Sequence, residues 1–496
     1  MPLNLASRTQ VSGHYFLRRR LQFALLRRSV RMQVDPVRWQ RVMLMLSGVV
    51  GAVLLILAFV IGWMRPAGVV GQSKIVADRK TGALYVSVDG RLHPALNLVS
   101  AQLISGQPDA PTFVSSGDIA KWPKGPVVGI VGAPVEAPAV SAPDMSRWAV
   151  CDTAGEAVGA APLVTGIDGA LTLGSSSADA LGDGRGLLLA YQQQNYLVTG
   201  GVRMPLDLTD RALTGALGVD PGAPVPAMSQ AMFDALPAGG PLVVPTVPNA
   251  GAPAPFDWGP GVVIGSVVVT QDVATHADKF YAVVGDGVQP VSPVVAAMLR
   301  QRDSYGTSTP PRVSPDRLAQ VPVRHVLDVD YYPAQPLKMV DQRTQPVTCV
   351  GWERGVNDRQ ARISVLTGRD LPIASDQHQK LVPLVGGGSG VQAGQVLLAD
   401  QAATFVSTTG SAPDSPQRET MWLIGESGVR YGVPFDEQAL QALGLATSQN
   451  RPAPWAMLQV WPEGPELSRA AALTVHDSAV GPAAPVTTQQ PALQGR

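Results

Sequence analysis

The chain has 496 residues, enough for two to four domains. Its 38 basic and 38 acidic residues cancel only overall, because residues 1–41 hold nine arginines against the single acid Asp35, leaving +8 on this arm and −8 on everything after it. An acidic body excludes broad phosphate contact with nucleic acid, 51 glycines and 44 prolines argue against a helical bundle, and 45% apolar against 15% charged residues excludes a disordered chain.

The arm, residues 1–41, carries Arg18, Arg19, Arg20, Arg27 and Arg28 around Leu17, Leu21, Ala24 and Leu25, which recur at i, i+4, i+7 and i+8. That spacing predicts an amphipathic helix lying on anionic lipid or on a partner, blurred by Phe23 and Leu26; a merely solvated basic stretch is the alternative. Next, Val42–Met64 contains no charge, with Arg41 and Arg65 bracketing it and Trp63 at one edge. A helix of that length spans about 35 Å, against about 30 Å of hydrocarbon. A cleaved signal peptide would need a shorter arm, a shorter apolar run and a small-x-small cleavage site, where this chain has Met64-Arg65-Pro66. The segment 42–64 therefore reads as an uncleaved anchor. Positive-inside bias places the arm in the cytoplasm and the rest outside.

The body, residues 66–476, contains four related segments. Each reads as an aromatic-led strand, a glycine turn and a second short strand. Their marks are Tyr85 and Gly90, Tyr196 and Gly201, Tyr281 and Gly287, and Trp422 and Gly428. A helical stretch follows each: 97–104, 210–217, 293–300 and 436–443. Three then reach a Pro-x-Gly exit, at Pro123-Lys-Gly125, Pro237-Ala-Gly239 and Pro462-Glu-Gly464; the third ends less clearly at Val321-Pro322. Unequal spacing of the leading aromatics excludes a solenoid. The reading is α+β: an elongated body of four small repeats, about 74–134, 185–250, 262–330 and 418–476, around core strands within about 145–165 and 338–415. Residues 477–496, rich in Pro, Ala and Gln, read as a disordered tail.

The only cysteines, Cys151 and Cys349, both fall in strand-like contexts with a tryptophan nearby, Trp148 and Trp352. An oxidising compartment and an even count favour one disulfide; two buried thiols are the alternative, and no histidine cluster supports a metal pair. No Walker A motif, nucleophile elbow or H-E-x-x-H is present. The Gly386–Gly390 run lacks a lysine and reads as a turn, and Asp89, His93 and Asp286 sit in hairpins. The expectation is no catalytic residue, no metal and no cofactor.

Several further motifs run in order along the chain: Thr9-Gln-Val-Ser-Gly13, Arg31-Met32, Asp35-Pro36, Asp78-Arg79, Leu84-Tyr85-Val86, Pro94-Ala-Leu-Asn97-Leu98, Gly129-Ile-Val-Gly-Ala-Pro134, Trp148-Ala-Val-Cys151-Asp152-Thr153, Thr348-Cys349, Pro454-Trp455 and Pro462-Glu-Gly464-Pro465. Together with the arm and anchor they resemble the EccB family, the single-span core component of type VII (ESX) secretion machines. The resemblance implies a structural subunit of the inner membrane, its C-terminal domain in the periplasm. It further implies assembly with the FtsK-like ATPase EccC, with EccD and EccE and with the mycosin protease MycP, self-association through the outer domain, and a Cys151–Cys349 disulfide. Some members carry an ATPase label, so an outer nucleotide hydrolase is an alternative, as is a cell-wall-binding module.

Overall fold

The computed structural model describes residues 7–28, 36–63, 70–71, 73–155, 159–174, 177–387 and 391–476. Arg65, Gly388–Gly390 and the tail 477–496 lie outside the described residues, as do the side chains of Arg27 and Trp63. The chain divides into two units, residues 1–68 and 69–496.

Two helices form the first unit. Arg8–Arg27 begins at a capping box, in which the Ser7 hydroxyl accepts from the Gln10 N–H and the Gln10 amide oxygen accepts from the Ser7 N–H. It ends at Arg28 in the left-handed region (φ 49°). Val11, Tyr15, Phe16, Leu17, Leu21 and Leu25 are all exposed within this unit. The second helix, Pro36–Trp63, starts six residues before the uncharged run, because Val37–Arg41 continue helical as a polar flank. Its apolar stretch Trp39–Val60 is long enough to cross a membrane. Ser47 donates back to the Leu44 carbonyl at 2.9 Å, so its hydroxyl costs little in lipid.

The outer unit is built on a seven-stranded sheet in the order Val382–Pro383, Gln395–Leu398, Leu163–Asp168, Met145–Thr153, Val347–Gly355, Arg362–Gly368, Ala178–Ala180. Its two central strands are antiparallel, with Cys151 directly opposite Cys349 and Trp148 directly opposite Trp352. The cysteines are disulfide-bonded, 198 residues apart in sequence. Side chains alternate faces along a strand, so an offset of three puts each tryptophan on the face opposite its cysteine rather than beside the sulfur. One face packs Cys151, Cys349, Ile167, Val347, Leu366 and Ile373. The other packs Trp148, Val150 and Trp352 against the repeats.

Four repeats share one plan. Three antiparallel strands are followed by a helix, by a return alongside the first strand, by a second short helix and by an exit alongside the third strand. The opening strands are Ile75–Asp78, Arg185–Tyr191, Val267–Gln271 and Phe405–Thr409. The fourth thus starts ahead of the aromatic-led hairpin that sets the sequence boundary at 418. First helices are Leu98–Ser105, Arg211–Leu217, Pro293–Arg302 and Glu437–Ala442, each N-capped by a short polar side chain: Asn97, Asp210, Ser292 and Asp436. The returning segments bridge Val76–Thr112, Ala190–Ala227, Val269–Arg312 and Val406–Arg451 in parallel. The exits bridge Leu92–Lys124, Arg203–Ala238, Val288–Val323 and Arg430–Glu463. Prolines recur on these outer segments (Pro111, Pro226, Pro311, Pro452), where a missing N–H blunts a sheet edge.

Glycine chemistry differs between hairpins. Asp89-Gly90 and Gly200-Gly201 both take paired positive φ, as a two-residue hairpin turn requires, and Gly428 lies at φ 76°. Gly287 instead begins its strand, the turn being Gly285–Asp286, and a Cβ there would overlap the Pro322 carbonyl.

Packing order differs from chain order. Repeats 1 and 4 share a core in which Val99 and Leu103 meet Leu440 and Leu443, and Val475–His476 pairs with Val127–Val128 to close the chain's last strand onto repeat 1. Repeats 2 and 3 share another, with Leu213 and Leu217 beside Val295 and Leu299. Repeats 2 and 4 meet on the tryptophan face of the central sheet through Met232, Met457 and Trp461.

Candidate functional site

Among the described residues no three His, Cys, Asp or Glu side chains come together as metal ligands. Asp89 occupies a turn (φ 47°), and His93 Nδ1 lies 3.0 Å from the Pro126 carbonyl. Gly387 donates its N–H to the Leu384 carbonyl within a turn. A groove of about 960 Å³ runs between the end of a central strand and repeat 2, past Thr153, Asp220, Val225, Met339, Asp341 and Arg343. Asp341 and Arg343 pair with each other there at 3.2 Å.

The repeat marks instead gather cations. Lys124 lies 4.3 Å above the Tyr85 ring. At the equivalent third-strand position the four repeats carry Leu92, Arg203, Val288 and Arg430, and the arginines belong to the two inner repeats. Arg203 lies 3.6 Å over Phe233 and 5.8 Å from the Tyr196 centroid, its Nε donating to the Phe233 carbonyl at 3.0 Å. Arg430 sits between Trp422 (4.4 Å) and Trp455 (4.9 Å), donates to the Trp461 carbonyl at 2.9 Å and pairs with Glu463 at 2.9 Å. Burial presses the Arg430 guanidinium below its usual range, and Glu463 opposes that shift. A desolvated cation over two indoles is held much more strongly than an exposed one. In the outer repeats Leu92 and Val288 fill the position and are fully buried; Tyr281 packs in an apolar cluster with Trp258 and Leu318.

Exit glycines fit the next residue of the same strand. A Cβ on Gly464 would come within 2.5 Å of the Tyr431 ring, one on Gly239 within 2.7 Å of Met204, and one on Gly125 would overlap His93. Repeat 3 inverts this arrangement, which is why its exit is faint in the sequence. Arg324 stands in the glycine's place and pairs with Asp286 at 2.8 Å. The facing residue is Gln289, which turns aside to bind the Val326 and Leu327 backbone at 2.7 Å.

Two carboxylates on central strands reach the inner repeats. Ser229 donates both its N–H and its hydroxyl to Asp152, each at 2.7 Å, and the same hydroxyl caps the helix Gln230–Ala235. Desolvation raises the Asp152 pKa to about 6 against those two hydrogen bonds. Asp168, fully buried, accepts from the Ala403 N–H at 3.0 Å at the entrance to repeat 4, and its pKa is raised further by burial. Arg203, Arg430, Asp168 and Ser229 were not distinguishable in the sequence. The available signals were a third-strand arginine in alternate repeats and the Asp beside Cys151.

These contacts use buried cations to fix the inner repeats internally and buried carboxylates to join them to the central sheet. The comparison with known families agrees in extent: residues 3–481 match the family "Type VII secretion system ESX-1, transport TM domain B". The chain belongs to the EccB family. It is 44% identical to the ESX-2 secretion system ATPase EccB2 of Mycobacterium tuberculosis H37Rv, over 98% of this chain and 99% of the relative. It is 41% identical to the ESX-5 secretion system ATPase EccB5 of the same strain, over 96% and 94%. A chain in the structure of an intact ESX-5 inner membrane complex superposes with TM-score 0.77 at 39% identity, covering 98% of this chain and 99% of that one. The EccB3 dimer from the ESX-3 core complex superposes with TM-score 0.71 at 40% identity, covering 81% and 100%. This EccB member keeps the Cys151–Cys349 disulfide and the apolar N-terminal helix within that shared architecture.

Proposed function

We propose that this EccB chain is a structural scaffold subunit of a type VII (ESX) secretion membrane complex. The anchor holds it in the inner membrane with the arginine arm in the cytoplasm and the repeat body in the periplasm. The observation that carries this reading is the use of its buried cations inside the inner repeats and of its buried carboxylates where those repeats meet the central sheet. The intact ESX-5 complex and the EccB3 dimer supply the setting in which its relatives have been seen. The partners we assign are the EccC ATPase, EccD and EccE within the membrane complex, MycP on the outside, and a second copy of this chain. Despite the ATPase names of its relatives, the energy source in this reading is EccC: a phosphate cradle needs backbone N–H groups and a lysine, and this sequence contains no Gly-Lys dipeptide.

A C-terminally tagged chain, drawn from native membranes in mild detergent, tests the proposal. Recovery in a megadalton assembly with an FtsK-like ATPase and a multispanning subunit is expected, with ATP turnover lost when the partner's P-loop lysine is replaced. Recovery of the chain alone, with hydrolysis or glycan binding in its purified form, would overturn it.

A further inference from the structure

The two buried carboxylates at the inner repeats are built differently. Asp168 has one backbone donor, its second oxygen has no hydrogen-bond partner among the described residues, and burial raises its pKa. Asp152 has both oxygens engaged by a single residue, Ser229. Ser229 begins the helix whose Met232 and Ala235 form the contact with the central sheet and with repeat 4. A small cavity of about 10 Å³ adjoins Asp152, and Ala154, Pro226 and Ala227 line both it and the large groove above. Water therefore has a short route to the carboxylate once the helix start lifts.

We propose that the Asp152–Ser229 contact is a proton-set joint, holding repeat 2 firmly to the central sheet when Asp152 is protonated and opening more readily when it is ionised. On protonation, with the proton taken from solvent, Oδ1 becomes the donor. The Ser229 hydroxyl turns to accept it while still accepting from the Met232 N–H (3.0 Å), and Oδ2 still accepts from the Ser229 N–H; the hydroxyl hydrogen gives up its acceptor, a neutral loss smaller than that of an uncompensated buried charge. On ionisation a charge with two hydrogen bonds and no cation is left in an apolar site. Among the described residues the surrounding elements offer no counter-charge. The neighbouring strands present Thr348, Val164 and Leu189. The 338–346 segment presents Gln342, with Asp341 and Arg343 engaged on each other. On the helix itself Asp234 accepts from Gln459, and Arg203 lies over Phe233.

The sign follows from burial lifting the folded pKa above the ordinary aspartate value of 3.8. The native state binds the extra proton, so its stabilisation is fully present at low pH and is lost as pH rises through about 6.

Hydrogen exchange on the full chain in detergent reads the joint directly, through the peptide covering 226–236 and after correction for intrinsic rates. The opening constant is expected to rise about tenfold from pH 5 to pH 7. Asp152→Asn, which keeps the shape and two hydrogen bonds, should give one opening constant at both pH values, whereas Asp168→Asn should retain the wild-type dependence. A wild-type peptide whose opening constant stays flat from pH 5 to pH 7.5, or a D152N protein that keeps the tenfold change, would overturn the proposal. If D152N does not fold, the wild-type series decides alone, with the repeat 3 helix peptide 293–302 as the flat control.

Discussion

Arg430 carries its charge into a stack of two indoles and leaves one carbonyl, that of Trp461, with a donor only while the guanidinium is present. Replacing it with methionine keeps the volume but removes the cation and unpairs that carbonyl, at a cost of about 2–4 kcal/mol. Arg430→Lys should cost less, about 1–2 kcal/mol, since an ammonium keeps the charge but neither stacks nor forks. Denaturant unfolding of the full chain in detergent checks the order, and an R430M midpoint equal to wild type would refute it. Tyr431 and Gly464 form a second residue-scale test. Gly464→Ala drives a methyl into the ring and should destabilise by about 1–3 kcal/mol. Combined with Tyr431→Ala, which vacates the space, the two costs should sum to less than additive; strict additivity would show that the contact is not the cause.

At the scale of elements, the disulfide joins two strands that already pair over nine residues, from Met145–Thr153 to Val347–Gly355. Its loop of roughly 200 residues lies near the top of the chain-entropy range, about 5 kcal/mol. Cys151→Ala with Cys349→Ala should therefore lower the unfolding midpoint sharply while the amides of these strands remain the best protected in the chain. Loss of that protection would mean the bond builds the sheet rather than securing it. The strands around the cysteines were legible because continuous apolar runs mark sheet centres. The four first helices were legible from a polar cap ahead of an apolar stretch, as at Asn97 and Asp436. Leu163–Asp168 and Gln395–Leu398 were not, since their identity as strands depends on partners far away in sequence. Each repeat's opening strand escaped for a related reason. The aromatic and the glycine mark the second and third strands, whereas Phe405–Thr409 shows little beyond β-branched residues. The buried charges were hidden more deeply, because Asp152 and Asp168 meet partners 77 and 235 residues away, and Arg430 is covered by Trp455 and Trp461 from the far end of its repeat.

The whole molecule combines two units with opposite charge. Among the described residues, every member of the buried core clusters lies at or beyond Val70. Deleting residues 8–28 should accordingly leave the body's unfolding midpoint unchanged. The same deletion removes Arg18, Arg19, Arg20, Arg27 and Arg28 together with the exposed apolar residues of the arm helix. Burying such residues against another subunit is the way an isolated, highly charged helix gains stability, since helices on their own are marginal in water. Recovery of the FtsK-like ATPase with the deleted chain should fall at least tenfold, while pairing of outer units between copies persists. Substituting the five arginines by glutamine separates charge from shape: a loss as large as the deletion assigns recognition to the guanidinium groups, and a smaller one assigns the remainder to the apolar side chains. An arm-deleted chain that still recovers the ATPase in full would place the assembly contacts in the anchor and the periplasmic body instead.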